Sequence, residues 1–241
     1  MRNTTPTRIL LASLLLLGRS PNYAQKRQEV KPLGEVRLHL VSSLPGKSHP
    51  VPEVAWLSPF PGTPVLPFPS RGHYTLLQKN RMFTPHLLVI PVGSAVQFPN
   101  ADPFFHNVFS LFDGKRFDLG LYEAGSSKSV TFSKGGVSYI FCNIHPEMSA
   151  VIVALSSPLY SIGDTDNSFA IQNVPPGNYE LHIWIEGVPD STLDHLTRRV
   201  RVESSAMDIG AIKVPIPATR MGSHTNMFGK SYSDEPKTPI Y

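Results

Sequence analysis

The chain is poor in what most architectures need. It has one cysteine in 241 residues, so no disulfide can form within it. Charged residues make up 17% and hydrophobic ones 41%, a balance too apolar for a wholly disordered chain. Helical periodicity is almost absent, and 24 prolines exclude a coiled coil. No run of apolar residues approaches the ~20 needed to span a bilayer. The basic excess, 22 against 18, sits at the start of the chain. Without residues 1–24, which carry Arg2, Arg8 and Arg19 and no acid, 19 basic residues face 18 acidic ones. The charge is therefore no footprint of nucleic-acid binding.

What is present comes in short pieces. Arg2 and Arg8 precede an apolar stretch, Ile9 to Leu17, followed by polar residues and Ala24. This order reads as a secretory signal over 1–24, with a mature protein that is periplasmic or secreted and has no stable membrane insertion. After it, Val36–Leu40 alternates apolar and polar residues, as does Tyr179–Ile185. Leu87–Val92 and Ala150–Leu155 are nearly continuous apolar runs, the pattern of strands covered on both faces. Pro, Gly, Asn and Asp interrupt them. The chain reads as all-β, a sandwich or barrel. Residues 43–70 are proline-rich and read mostly as loop, and 215–241 as a flexible tail.

The lone cysteine lies in Phe141-Cys142-Asn143-Ile144-His145-Pro146-Glu147-Met148, and upstream stands Asn100-Ala101-Asp102-Pro103-Phe104-Phe105-His106-Asn107. Two imidazoles, a thiolate and a thioether form the donor set of a trigonal copper site with a weak axial methionine. Cys142 ends a strand, a two-residue loop turns His145 back toward the same point, and His106 comes from a separate strand. Three other readings stand beside this one. A zinc site would accept Cys and His. Met148 could be core packing beside a three-ligand site. A Cys–His nucleophile pair would need an orienting group and an oxyanion hole, neither of which is visible. His86 reads as structural rather than as a second ligand. His39 and His182 read as facing solvent, Trp184 as packing, and Arg116, Lys128 and Lys134 as a solvated face.

On these residues the chain resembles the cupredoxins. The C-x₂-H-x₂-M spacing is similar to amicyanin more than to plastocyanin, and Asn100-x-Asp102 with His106-Asn107-Val108 resembles the family's first copper-histidine segment. The resemblance covers 80–155 and implies a Greek-key β-sandwich with one type 1 copper held by His106, Cys142, His145 and Met148. It also implies that Asn107 supports the cysteine sulfur. The function it implies is that of a one-electron carrier, not an enzyme, meeting redox proteins by transient contact. The segment around Phe117-Asp118 and Gly120–Gly125 reads as a long connection foreign to a small cupredoxin. Residues 34–58 and 158–214, with the Pro175-Pro176-Gly177 turn, are similar to the two halves of a carboxypeptidase regulatory-like (transthyretin-like) sandwich. The cupredoxin would then be inserted in a second sandwich. Two other functions fit the same residues: a copper-delivery module, and an adhesion or carbohydrate-binding protein with a vestigial copper motif.

Overall fold

The computed structural model describes residues 32–42, 51–68, 72–111, 114–203 and 205–215. The leader read over 1–24 and all of the tail beyond Pro215 lie outside these residues. Among the described residues no helix is long and apolar enough to cross a membrane.

The chain is all-β. It opens with β1 (Gly34–Ser42) and β2 (Glu53–Pro59). Ten strands follow: β3 (Tyr74–Thr75), β4 (Leu77–Lys79), β5 (Met82–Thr84), β6 (Leu87–Pro91), β7 (Ala95–Pro99), β8 (His106–Ser110), β9 (Phe117–Tyr122), β10 (Ser127–Thr131), β11 (Gly136–Phe141) and β12 (Ser149–Leu155). Then come β13 (Tyr160–Ile162), β14 (Ser168–Val174), β15 (Gly177–Ile185), a short helix α1 (Asp190–Asp194), β16 (Arg198–Val202) and β17 (Ala206–Val214).

The ends of the chain pair with each other. β1 lies between β14 and β17, and β2 lies between β13 and β15, with β16 outside. These two sheets close over a core that includes Val36, Leu38, Leu57, Ile171, Tyr179 and Trp184, all buried. Thr63 in the proline-rich stretch clasps β15. Its hydroxyl donates to the Asn178 carbonyl at 2.9 Å and accepts from the Asn178 N–H at 3.1 Å. A Cβ at Gly177 would come within 2.4 Å of the Thr63 side chain, so this contact needs glycine.

The middle of the chain makes the second sandwich. One sheet runs β6-β12-β11-β8-β9, and β10-β7-β3 and the β4-β5 hairpin stand opposite. Its core includes Leu76, Phe98, Val108, Ile140, Cys142 and Met148. Leu76 shows that this sandwich also draws on chain upstream of residue 80.

The five-stranded sheet is a shared wall. Along β12, Ala150, Ile152 and Ala154 point into the second core, while Val151, Val153 and Leu155 point into the first. Side chains alternate faces along a strand, so a strand covered on both faces must be apolar at every position. That explains the two uninterrupted apolar runs, because β6 is the parallel neighbour of β12.

Two local expectations are corrected. The stretch read as a long connection contains β9, which pairs antiparallel with β8 from Ser110↔Phe117 to His106↔Tyr122. Asp118 and a left-handed Gly120 (φ +62°) accommodate a register shift and disguise the alternation of Phe117 and Leu119. Lys128 does not stand free in solvent. Its ammonium lies 5.1 Å from the centre of the Tyr122 ring and donates to the Leu119 carbonyl.

Candidate metal centre

Cys142 directly follows β11, and Met148 directly precedes β12. These strands pair antiparallel up to Phe141↔Ser149. The loop between them closes on itself: Cys142 N–H donates to the Met148 carbonyl at 3.3 Å, and Met148 N–H to the His145 carbonyl at 3.0 Å. His145 is thereby folded over Cys142. His106 opens β8, the other neighbour of β11 in the sheet.

The three side chains meet. Cys142 Sγ is 3.7 Å from His106 Nδ1 and 3.7 Å from His145 Nδ1, and the two nitrogens are 3.1 Å apart. His106 and Cys142 are fully buried and His145 is 9% exposed. Among the described residues these three form the one group of three or more His, Cys, Asp or Glu side chains able to share a metal ion. Met148 is also fully buried, in the same core as Cys142.

The triangle fits a cation. With sides of 3.1, 3.7 and 3.7 Å, its centre lies about 2.0 Å from every corner, close to first-row metal–nitrogen distances and slightly inside metal–thiolate ones. The protonation pattern agrees. His106 Nε2 is 2.9 Å from Asp102 Oδ2. An ionised carboxylate only accepts, so Nε2 carries the proton and Nδ1 turns its lone pair inward.

The surroundings of the site shift the protonation of its donors. Burial pushes the Cys142 thiol pKa up, against backbone N–H groups of Asn107, Ile144 and His145 that favour the thiolate. A metal ion would take the place of the thiol proton. Burial pushes His145 down, and the neighbouring His106 adds to this, which favours the neutral ring that a ligand needs. Burial raises Asp102, but the N–H groups of Arg81 and Asn80 and the His106 ring outweigh it and hold the carboxyl below its usual value.

The loop carrying His106 is braced from several sides. Asn100, 1% exposed, donates to the Phe104 carbonyl at 2.8 Å and accepts from the Asp102 N–H at 3.0 Å. The Phe104 ring packs at 5.2 Å from His106 and 5.5 Å from His145. Over His145 opens a cavity of about 460 Å³, lined by Arg81, Phe104, Phe105 and Glu123 among others.

Asn107 supports the cysteine sulfur through its backbone N–H, while its side-chain amide donates to Asp118 Oδ1 at 2.7 Å. His86 bonds Glu186 at 2.9 Å and the Ser149 carbonyl at 3.0 Å, away from the triangle. His39 is exposed, His182 stacks on Trp56 at 5.0 Å, and Trp184 is buried. The parts that sequence reasoning missed are Asp102 as a partner of His106 and Asn80 and Arg81 as partners of Asp102. The i, i+4 spacing of Asp102 and His106 was a signal for the first; nothing local announced the second.

No protein-family model and no curated protein sequence matches the chain. Among solved structures, a purple cupredoxin from Nitrosopumilus maritimus is 23% identical over 34% of this chain and 99% of its own, with a TM-score of 0.31. A copper(I) amicyanin variant is 20% identical over 35% of this chain and 83% of its own, at 0.33. A copper-containing nitrite reductase from Thermus scotoductus SA-01 is 24% identical over 48% of this chain and 28% of its own, at 0.33. Likeness at this level settles neither family nor activity, and the donor geometry has to speak for itself.

Proposed function

We propose that the chain is a mononuclear type 1 copper protein that carries single electrons, with His106, Cys142 and His145 as ligands and Met148 as a weak axial donor. One observation carries this reading: a buried triangle of one sulfur and two imidazole nitrogens, with its centre at metal-bonding distance from all three. Three strong donors and a neighbouring thioether suit copper better than a tetrahedral zinc site, which calls for a fourth strong ligand.

Copper bound there would supply a one-electron couple between its two oxidation states. The chain's own residues hold the donors still. Cys142 and His145 are pinned by the closed loop between β11 and β12, and His106 by Asp102 and the braced loop before β8. Phe104 and the surrounding core keep water from the donors. His145 is the ligand that reaches the cavity, and exposed Phe105 (49%) and Ile144 (38%) stand next in sequence to the two histidines. A rim that mixes exposed apolar side chains with Arg81 and Glu123 suits brief contact with a redox partner through a small interface. Burial of the ligands weighs against a delivery module, which must release its metal.

The 34–58 and 158–214 segments belong, on this reading, to one discontinuous sandwich, and the inserted one is 80–155 extended upstream through β3 and β4. The pairing of β1 with β14 and β17 supports that division. Export rests on the leader-like sequence of residues 1–24.

The test is to load the full chain with copper and measure stoichiometry and voltammetry. One copper per chain and a reversible one-electron response with the metal retained are expected. An irreversible response with copper lost to a chelator on reduction would contradict the carrier and point to delivery.

A further inference from the structure

The hairpin joining β4 to β5 approaches the metal centre without supplying a ligand. Lys79 pairs with Met82, leaving Asn80 and Arg81 as its two turn residues, with φ of 56° and 55°. This is the primed turn that the twist of a hairpin favours, but an arginine adopts it reluctantly. The turn directs two successive N–H groups at one carboxylate. Asn80 N–H donates to Asp102 Oδ1 at 2.6 Å, and Arg81 N–H to Oδ2 at 3.0 Å. Asp102 Oδ2 in turn accepts from His106 Nε2 at 2.9 Å. Asp102 is 5% exposed and His106 fully buried, so this anion stands beside the ring in a dry setting. The Arg81 guanidinium lies 5.3 Å from the centre of the Phe104 ring, which itself packs on both histidines. Backbone and side chain of one turn thus both reach the loop that precedes His106.

We propose that Asp102 is a positioning residue for His106, held by the Asn80-Arg81 turn, and that as a buried anion it biases the site toward the oxidised metal. The inference rests on the copper reading. Carboxylates behind ligating histidines fix the ring tautomer and strengthen the ligand. Negative charge in a low-dielectric interior also stabilises the ion of higher charge more than the ion of lower charge. The oxidised ion therefore gains more from Asp102 than the reduced one, and the reduction potential falls. A neutral acceptor at the same place would orient the ring without this bias.

Two measurements on the full chain test it. In the copper-free protein, ¹⁵N shifts of His106 should show the Nε2–H tautomer; the Nδ1–H tautomer would overturn the proposal, whatever any variant does. In the copper-loaded protein, Asp102→Asn should keep the sulfur-to-copper absorption but lower the ratio of Cu(II) to Cu(I) affinity about tenfold. That corresponds to a potential higher by about 59 mV for one electron. Asp102→Glu, which keeps the charge, should shift it less. An unchanged potential in Asp102→Asn, or equal shifts in the two variants, would reduce Asp102 to a structural role and overturn the bias. A wild-type chain lacking the absorption band would instead strike the copper reading. That failure is distinguishable because the tautomer is read without metal.

Discussion

The two sandwiches share a wall but differ in what they bury. The one built from the chain ends is filled mostly by aliphatic and aromatic side chains, Trp184 and Tyr179 the largest among them, with Glu53 at the start of β2 the charged exception. The one built from the middle buries Asn100, Asp102, His106, Asn107 and His145 within one region. A buried polar group costs free energy unless it is bonded; each of these side chains has a polar partner, although Asn107 Oδ1 is left without one. A core that needed only to hold together would not concentrate them. The difference separates a sandwich that stabilises from one that presents a site.

The sharpest way to break that comparison is to damage one sandwich and read the other. Trp184→Ala should cost about 3–5 kcal/mol of stability, as large-to-small changes of buried tryptophan do. The copper spectrum of the molecules that remain folded should be unchanged. Denaturant titration and visible absorption on one sample check both. Loss of the spectrum from folded protein would mean that the stabilising sandwich shapes the site directly.

The shared wall gives a second test. Ile152 and Val153 are neighbours on β12 but face opposite cores. Ile152→Ala should cost about 2–5 kcal/mol, and Val153→Ala somewhat less because it removes a smaller group. Both should lower the same single calorimetric transition, since neither sandwich can keep its core once the wall is lost. Two separable peaks, each moved by one variant only, would show the halves to be independent.

The smallest effect concerns pH. The His86–Glu186 pair joins the start of β6 to the residue after β15, and so links the two sandwiches. The hydrogen bond to Glu186 raises the His86 pKa, against burial, with help from the Glu186 charge and the Ser149 carbonyl. A raised folded-state pKa means that the stabilisation is complete below the ordinary histidine value of about 6.5. It is lost as pH climbs through the folded value. His86 is 41% exposed, so solvent screening keeps the contribution under about 1 kcal/mol. Melting temperature against pH should fall less steeply across that window in Glu186→Gln than in wild type. Parallel curves would remove the pair from the account.

The candidate site was legible in part because several of its residues lie close together in sequence. Cys142, His145 and Met148 share one short loop, and the residue types alone suggest what they hold. The two continuous apolar runs were recognisable as buried strands. What covers them on each side was not, because that depends on chain ends more than a hundred residues apart coming together. β9 was hidden by Asp118 and Gly120, which a register shift requires and which imitate a loop. The link from Asn80 and Arg81 to Asp102 crosses 22 and 21 residues and uses backbone N–H groups, which leave no trace in side-chain identity.

The central claim is that His106, Cys142 and His145 bind one copper through a thiolate. Adding Cu(II) to the full chain and recording visible absorption and EPR, beside Cys142→Ala, tests it most directly. The account predicts an intense blue sulfur-to-copper band with narrow copper hyperfine splitting, both lost in the variant. A colourless protein, or an ordinary tetragonal copper spectrum that survives the loss of Cys142, would contradict it.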